Sequence, residues 1–153
     1  MSTPAAVRLR RAGVKDAERL TELAAAAYPA DAPTVAEMAD WLEQGGALYY
    51  EDNAGRPVSS LRWREEQGGW RLAPLRTVDS ARGLGYGRWL MTQVEALAIR
   101  HNIPVLRVEL RDPADLAYYR RLGYEPVPNG GGTVLDLSKR VGGTWQMRDP
   151  EQS

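Results

Sequence analysis

Arg82-Gly83-Leu84-Gly85-Tyr86-Gly87-Arg88 is the stretch of this 153-residue chain whose residue types and spacing point most directly to chemistry. Three glycines at alternate positions let a backbone come close to a ligand, and a turn that opens a helix offers free N–H groups and a helix dipole to an anion. Two nucleotide motifs are excluded. No Gly-Lys-Ser/Thr follows, as a P-loop requires, and the third glycine of a dinucleotide fingerprint would fall on Arg88. Taken alone, a glycine-rich turn that merely starts a helix is the commoner case.

The elements around the loop must position it. Trp70 to Val78 reads as a strand interrupted by Pro74, which lacks an N–H for the ladder and so marks an edge, a bulge or a splay. After the loop, Tyr86, Leu90, Val94, Leu97 and Ala98 recur at helical spacing, which predicts a helix from about Gly85 to His101. Upstream, Val7 to Arg11 alternates as a strand does, and Asp16 is the N-cap expected for a helix to Ala27. Thr34 and Glu37 resemble a capping box for a second helix, with Val35, Met38, Ala39 and Leu42 on one face and Gly45-Gly46 at its end. Ala47 to Glu51 and Val58 to Trp63 flank a turn at Asp52 to Pro57, and Gly68-Gly69 makes the next.

Downstream, Val105 to Leu110 is a strand. Asp112 as N-cap, Pro113 at the first helical position and Gly123 past the end delimit a short helix to Leu122. Thr133 to Leu137 and Thr144 to Met147 are the expected closing strands. This order predicts one α/β (α+β) domain over residues 1–153 with a mixed sheet.

Composition removes several kinds of chemistry. There is no Cys and one His, His101, so thiolate nucleophiles, disulfides and Cys- or His-rich metal centres are excluded. Lys plus Arg and Asp plus Glu both number 20, giving no global pull toward nucleic acid or an anionic membrane. No apolar run reaches the length of a membrane span and the N-terminus lacks the order of a signal peptide, so a soluble, cytoplasmic protein is expected. Between Leu20 and Gly55 there is no Lys or Arg, yet Glu22, Asp31, Glu37, Asp40, Glu43, Glu51 and Asp52 all fall there. Such a run favours a cationic partner, although a solvated acidic face is the more frequent explanation.

Two spaced motifs together resemble the GNAT superfamily of N-acetyltransferases. Leu75-x-Thr77-x-Asp79-x-x-Arg82-x-x-Gly85-x-Gly87 is similar to the family's strand and Gln/Arg-x-x-Gly-x-Gly/Ala loop, with Thr77 and Asp79 where Val and Pro are usual. Asp112-x-x-Asp115-x-x-x-Tyr119-x-x-x-Gly123-Tyr124 keeps the spacing of the family's second signature. The resemblance covers nearly the whole chain and implies a mostly antiparallel sheet, splayed in the middle and flanked by helices.

By that resemblance acetyl-CoA is the cosubstrate, no metal is needed, and the acetyl group passes directly to an amine. The backbone of Leu75, Arg76 and Thr77 would pair with the pantetheine amides. Gly83, Leu84, Gly85, Tyr86, Gly87 and Arg88 would give N–H groups to the pyrophosphate, and Asp112 would lie by the pantetheine arm. Arg82, Arg88, Arg120 and Arg121 are candidates for phosphate contact. Tyr119 stands where the family has its general acid, and a phenol of pKa about 10 holds a proton to hand to the departing thiolate. Tyr118 is expected in the core. No base stands out among Glu51, Glu65, Glu66, Asp79 and Glu109. The acidic segment would cover the acceptor cleft, so a cationic small-molecule or peptide amine is the expected acceptor, and a homodimer accords with the habit of the family. The competing reading is a non-catalytic acyl-CoA-binding sensor, which an intact Tyr119 argues against.

Overall fold

Alternating residues near the start form β1 (Arg8–Ala12), one residue from the pattern's prediction. The structure is a computed structural model, described over residues 8–110, 112–127 and 135–141. α1 (Ala17–Ala27) follows with Asp16 at its N-cap position, but the Asp16 side chain makes no cap bond to it. Its carboxylate instead accepts the Gly13 N–H at 2.9 Å, closing a 3₁₀ turn at Val14–Asp16. Thr34 and Glu37 do form the capping box: Thr34 Oγ1 accepts the Glu37 N–H at 3.1 Å, and Glu37 Oε1 accepts the Thr34 N–H at 2.8 Å. A cap of this kind contributes about 1 kcal/mol. It opens α2 (Val35–Gln44), which buries Met38 and Leu42 and part of Ala39 but leaves Val35 exposed.

Gly45 and Gly46 end that helix and already belong to β2 (Gly45–Glu51), which pairs antiparallel with β1 and with β3 (Pro57–Glu66). A Cβ on Gly45 would strike the Trp63 carbonyl, so glycine is what lets the two strand backbones meet there. β3 runs three residues past Trp63, because the hairpin turns at Gln67-Gly68. Both residues have the positive φ that a type I′ turn needs, 50° and 79°. Gly69 is thereby freed to start β4 (Gly69–Leu72).

Pro74 splits the strand expected over Trp70 to Val78. β4 pairs in parallel with β6 (Val105–Leu110) as far as Leu72↔Val108, whereas β5 (Arg76–Thr77) pairs antiparallel with β3 through Ser60↔Arg76 and Ser59↔Thr77. α3 (Tyr86–Arg100) follows the loop. Asp112 is an N-cap, its carboxylate accepting the Ala114 N–H at 3.0 Å, but the helix begins as a 3₁₀ turn, Pro113–Asp115, before α4 (Leu116–Arg121). β7 (Glu125–Pro126), which the sequence did not signal, and β8 (Leu135–Arg140) pair with each other, and β8 with β6. Thr133 and the strand expected at Thr144 to Met147 lie outside the described residues.

The chain divides into two units, Met1–Arg64 with Leu75–Val94, and Glu65–Pro74 with Glu95–Ser153. In the first, Ala12, Leu20, Leu23, Met38, Leu42 and Tyr49 join α1 and α2 to one face of the sheet. In the second, Leu72, Leu106, Val108, Tyr124 and Leu137 are buried. Full burial of an aliphatic side chain of this size contributes about 1.5–3 kcal/mol. Among the described residues every strand pair but β4–β6 is antiparallel, so the sheet is mixed and mostly antiparallel with flanking helices, as expected.

Candidate active site

The loop is built by left-handed glycine backbone on one side and a helix start on the other. A 3₁₀ turn at Asp79–Ala81 leads into it, Gly83 and Gly85 take φ of 81° and 93°, and the first bond of α3 runs from the Trp89 N–H to the Gly85 carbonyl at 3.0 Å. The N–H groups of Gly83, Leu84, Gly85, Tyr86, Gly87 and Arg88 consequently have no backbone acceptor among the described residues. The first turn of α3 contains no acid, and Arg88 is exposed with no ion-pair partner among the described residues. Unpaired N–H groups, helix dipole and guanidinium all favour an anion with several oxygens.

Aromatic rings hold the helix start in place. Tyr86 is 4% exposed, its ring centroid 5.3 Å from that of Tyr50 and 5.6 Å from that of Trp89. Burial first, and then the neighbouring Tyr86 for Tyr50 and Asp52 for Tyr86, pushes both phenols above their ordinary range. They stay neutral and put no negative charge behind the anion site.

Arg82 is anchored within the protein. Its Nε donates to the Thr77 carbonyl at 3.1 Å, its Nη2 donates to the Ala27 carbonyl at 2.7 Å, and Asp79 lies 3.3 Å from Nη1. These contacts tie the loop to β5 and to the end of α1. Leu75, Arg76 and Thr77 are half-buried; Thr77 Oγ1 is bonded to the buried Ser59 hydroxyl at 2.7 Å, and Arg76 is paired with Asp31 at 3.2 Å. Among the described residues the second edge of β5 has no strand paired with it, and an unpaired strand edge is what an extended ligand can add to.

Tyr119 and Asp112 belong to the second unit. Tyr119 is 4% exposed, and its ring meets Tyr118 at 5.2 Å and Tyr124 at 6.0 Å, both nearly edge-on. Tyr118, expected in the core, is half-buried, because α4 turns its neighbour inward instead. Tyr124 donates to Glu95 at 3.0 Å, and Lys139 donates to the same carboxylate at 3.0 Å and to the Leu122 carbonyl at 2.7 Å. Burial, and then Glu95, pushes the Tyr124 phenol far up, so it serves as a fixed donor and not as an acid. Asp112 is exposed and engaged in its cap, while Arg120 pairs with Glu125 at 3.5 Å.

The carboxylates considered as bases are mostly engaged. Glu51 is buried between Arg10 and Arg19, Glu66 bonds Arg71 at 2.7 Å, and Asp79 pairs with Arg82. The acidic segment is spent in the same way: Asp31 on Arg76, Glu37 on its cap, Asp40 on Gln44, Glu51 on its arginines and Asp52 on the Ala54 and Arg56 N–H groups. Only Glu22 and Glu43 of that run lack such a partner among the described residues. Ser59, the Tyr50–Tyr86–Trp89 cluster and Arg62 and Arg64 over Trp41 were not singled out from sequence. Leu61-Arg62-Trp63-Arg64, alternating apolar and basic, carried the signal for the arginines. Among the described residues there is no cluster of three or more metal-ligating side chains and no helix long and apolar enough to cross a membrane.

Residues 44–126 match the family model described as acetyltransferase (GNAT) domain. No curated protein matches the sequence. Among solved structures, the ribosomal-protein-S18-alanine N-acetyltransferase of Escherichia coli superposes with a TM-score of 0.76 at 15% identity, covering 88% of this chain and 94% of that one. A GNAT-family acetyltransferase of Staphylococcus aureus also gives 0.76, at 13% identity over 89% and 99% of the two chains. The PaiA N-acetyltransferase of Thermoplasma acidophilum, in complex with coenzyme A, gives 0.69 at 14% identity over 92% and 99%. These likenesses establish the fold, and because the family model matches more than half of the sequence, the chain belongs to the GNAT acetyltransferase family.

Proposed function

We propose that this protein transfers an acetyl group from acetyl-CoA directly to an amine. The observation that carries the reading is the run of unpartnered N–H groups from Gly83 to Arg88 at the start of α3, which fits a pyrophosphate. The free edge of β5 at Leu75 to Thr77 fits the amides of pantetheine, and the T. acidophilum neighbour is a coenzyme A complex. In the reaction the amine nitrogen attacks the thioester carbon, the tetrahedral intermediate expels the thiolate, and the nitrogen loses a proton. Tyr119 gives its proton to the sulfur and regains one from the water that takes up the proton of the amine, so that free thiol and amide are the products. Arg82 positions the loop, and Arg88 supplies charge at its rim.

Adding acetyl-CoA to about 100 times its Kd is expected to raise the melting temperature by about 5 to 10 °C, since a ligand bound only to the folded state stabilises it. Differential scanning fluorimetry with acetyl-CoA and with a pyrophosphate-free acetyl thioester checks this. Equal shifts with both, or no shift with either, would remove the loop from the cofactor site.

A further inference from the structure

We propose that the amine acceptor also carries a carboxylate, and that Arg62 and Arg64, lying over Trp41, form the subsite that holds it. The inference rests on the acetyl-transfer reading and adds the class of acceptor. β3 alternates, so Leu61 and Trp63 are buried while Arg62 and Arg64 share the opposite face. The Cζ of Arg62 is 4.7 Å and that of Arg64 is 4.6 Å from the centroid of the Trp41 ring on α2. The cation–π contact holds both guanidinium groups against the ring.

No carboxylate or carbonyl takes up the N–H donors of these two guanidinium groups among the described residues. The Arg62 Nε is wholly buried and has no hydrogen-bond partner, while the side chain as a whole keeps partial exposure, which leaves its Nη nitrogens as the open end. Burial first, and then Arg76 nearby, pulls this guanidinium down to about 10, so it is still charged at neutral pH. A covered charge without a partner is costly, and a hydrocarbon of similar volume would pack on Trp41 without that cost. An anionic ligand accounts for the arginine.

Guanidinium geometry suits a carboxylate. Arg76 and Arg64 on one side of the balance, and Asp31 and Glu37 on the other, are the charges that act on Arg62. The two Nη nitrogens of a guanidinium match the two oxygens of a carboxylate. Ser60↔Arg76 ends the β3–β5 ladder, and Arg62 lies two residues further on the same face, beside the strand proposed to hold pantetheine. Glu37 is held on its cap and Asp31 on Arg76, so neither neutralises Arg62 by direct contact.

The test is the rate of thiol release from acetyl-CoA with L-amino acids, their primary amides and the matching decarboxylated amines. For the preferred side chain, kcat/KM for the acid should exceed that for the amide by roughly 10- to 100-fold, and R62M should bring the ratio near one. R62K should restore part of it. R64M supplies the same ratio should R62M fail to give a cofactor-dependent melting shift. Equal use of acid and amide by the wild type, a preference for the amide or the amine, or a ratio unmoved by R62M and R64M would overturn the subsite and leave acetyl transfer standing. Turnover with none of these acceptors would overturn acetyl transfer to small amines and the subsite with it.

Discussion

Tyr119→Phe is expected to slow acetyl transfer by about 10² to 10⁴, the usual loss when a positioned general acid is removed, and to leave the Kd for acetyl-CoA nearly unchanged. The substitution deletes one hydroxyl and keeps the ring, so the edge-on contacts with Tyr118 and Tyr124 survive. Its effect should therefore appear in kcat. Tyr118→Phe, half-buried one residue earlier on α4, is the control and should transfer at close to the wild-type rate. Matching rates in wild type, Tyr119→Phe and Tyr118→Phe would make Tyr119 a packing residue and leave the thiolate to depart without it.

Gly85→Val should abolish the melting shift with acetyl-CoA, and with it turnover at any attainable cofactor concentration. A Cβ at Gly85 would meet the Trp89 ring at 3.6 Å, an ordinary contact, so crowding is not the obstacle. The obstacle is φ of 93°, which costs a β-branched residue on the order of 1–3 kcal/mol and forces the loop to rearrange, turning its N–H groups away. Gly55→Val separates strain from function: φ is 79° in the Asp52–Arg56 turn with open space around it. It should lose stability yet keep the cofactor shift. Loss of the shift in both variants would mean that general destabilisation, not the loop, explains the result.

The sequence was most legible where one local rule decided the outcome. The Thr34–Glu37 box, the Asp112 cap and the helical spacing from Tyr86 each needed only neighbouring residues, and each is present. It was less legible where distant backbone decided. Gly45 entered a strand because the Trp63 backbone passes close by, and β7 is two residues long and exists through its pairing with β8. At the candidate site, the loop could be read because glycine spacing reports backbone geometry directly. The roles of side chains could not, because they depend on partners far along the chain. Arg82 bonds the Ala27 and Thr77 carbonyls, and most of the acidic run meets arginines, caps and turns. Arg62 and Arg64 acquire meaning only when α2 brings Trp41 beneath them.

The most direct test of the central claim is the initial rate of free-thiol release by the wild-type protein with acetyl-CoA alone and with added primary amines, each amine being analysed by mass spectrometry. The account predicts release that depends on the amine and equals, mole for mole, the amine that has gained one acetyl group. Tight binding of acetyl-CoA with no amine-dependent release across a broad panel would contradict it and leave a binding module in its place.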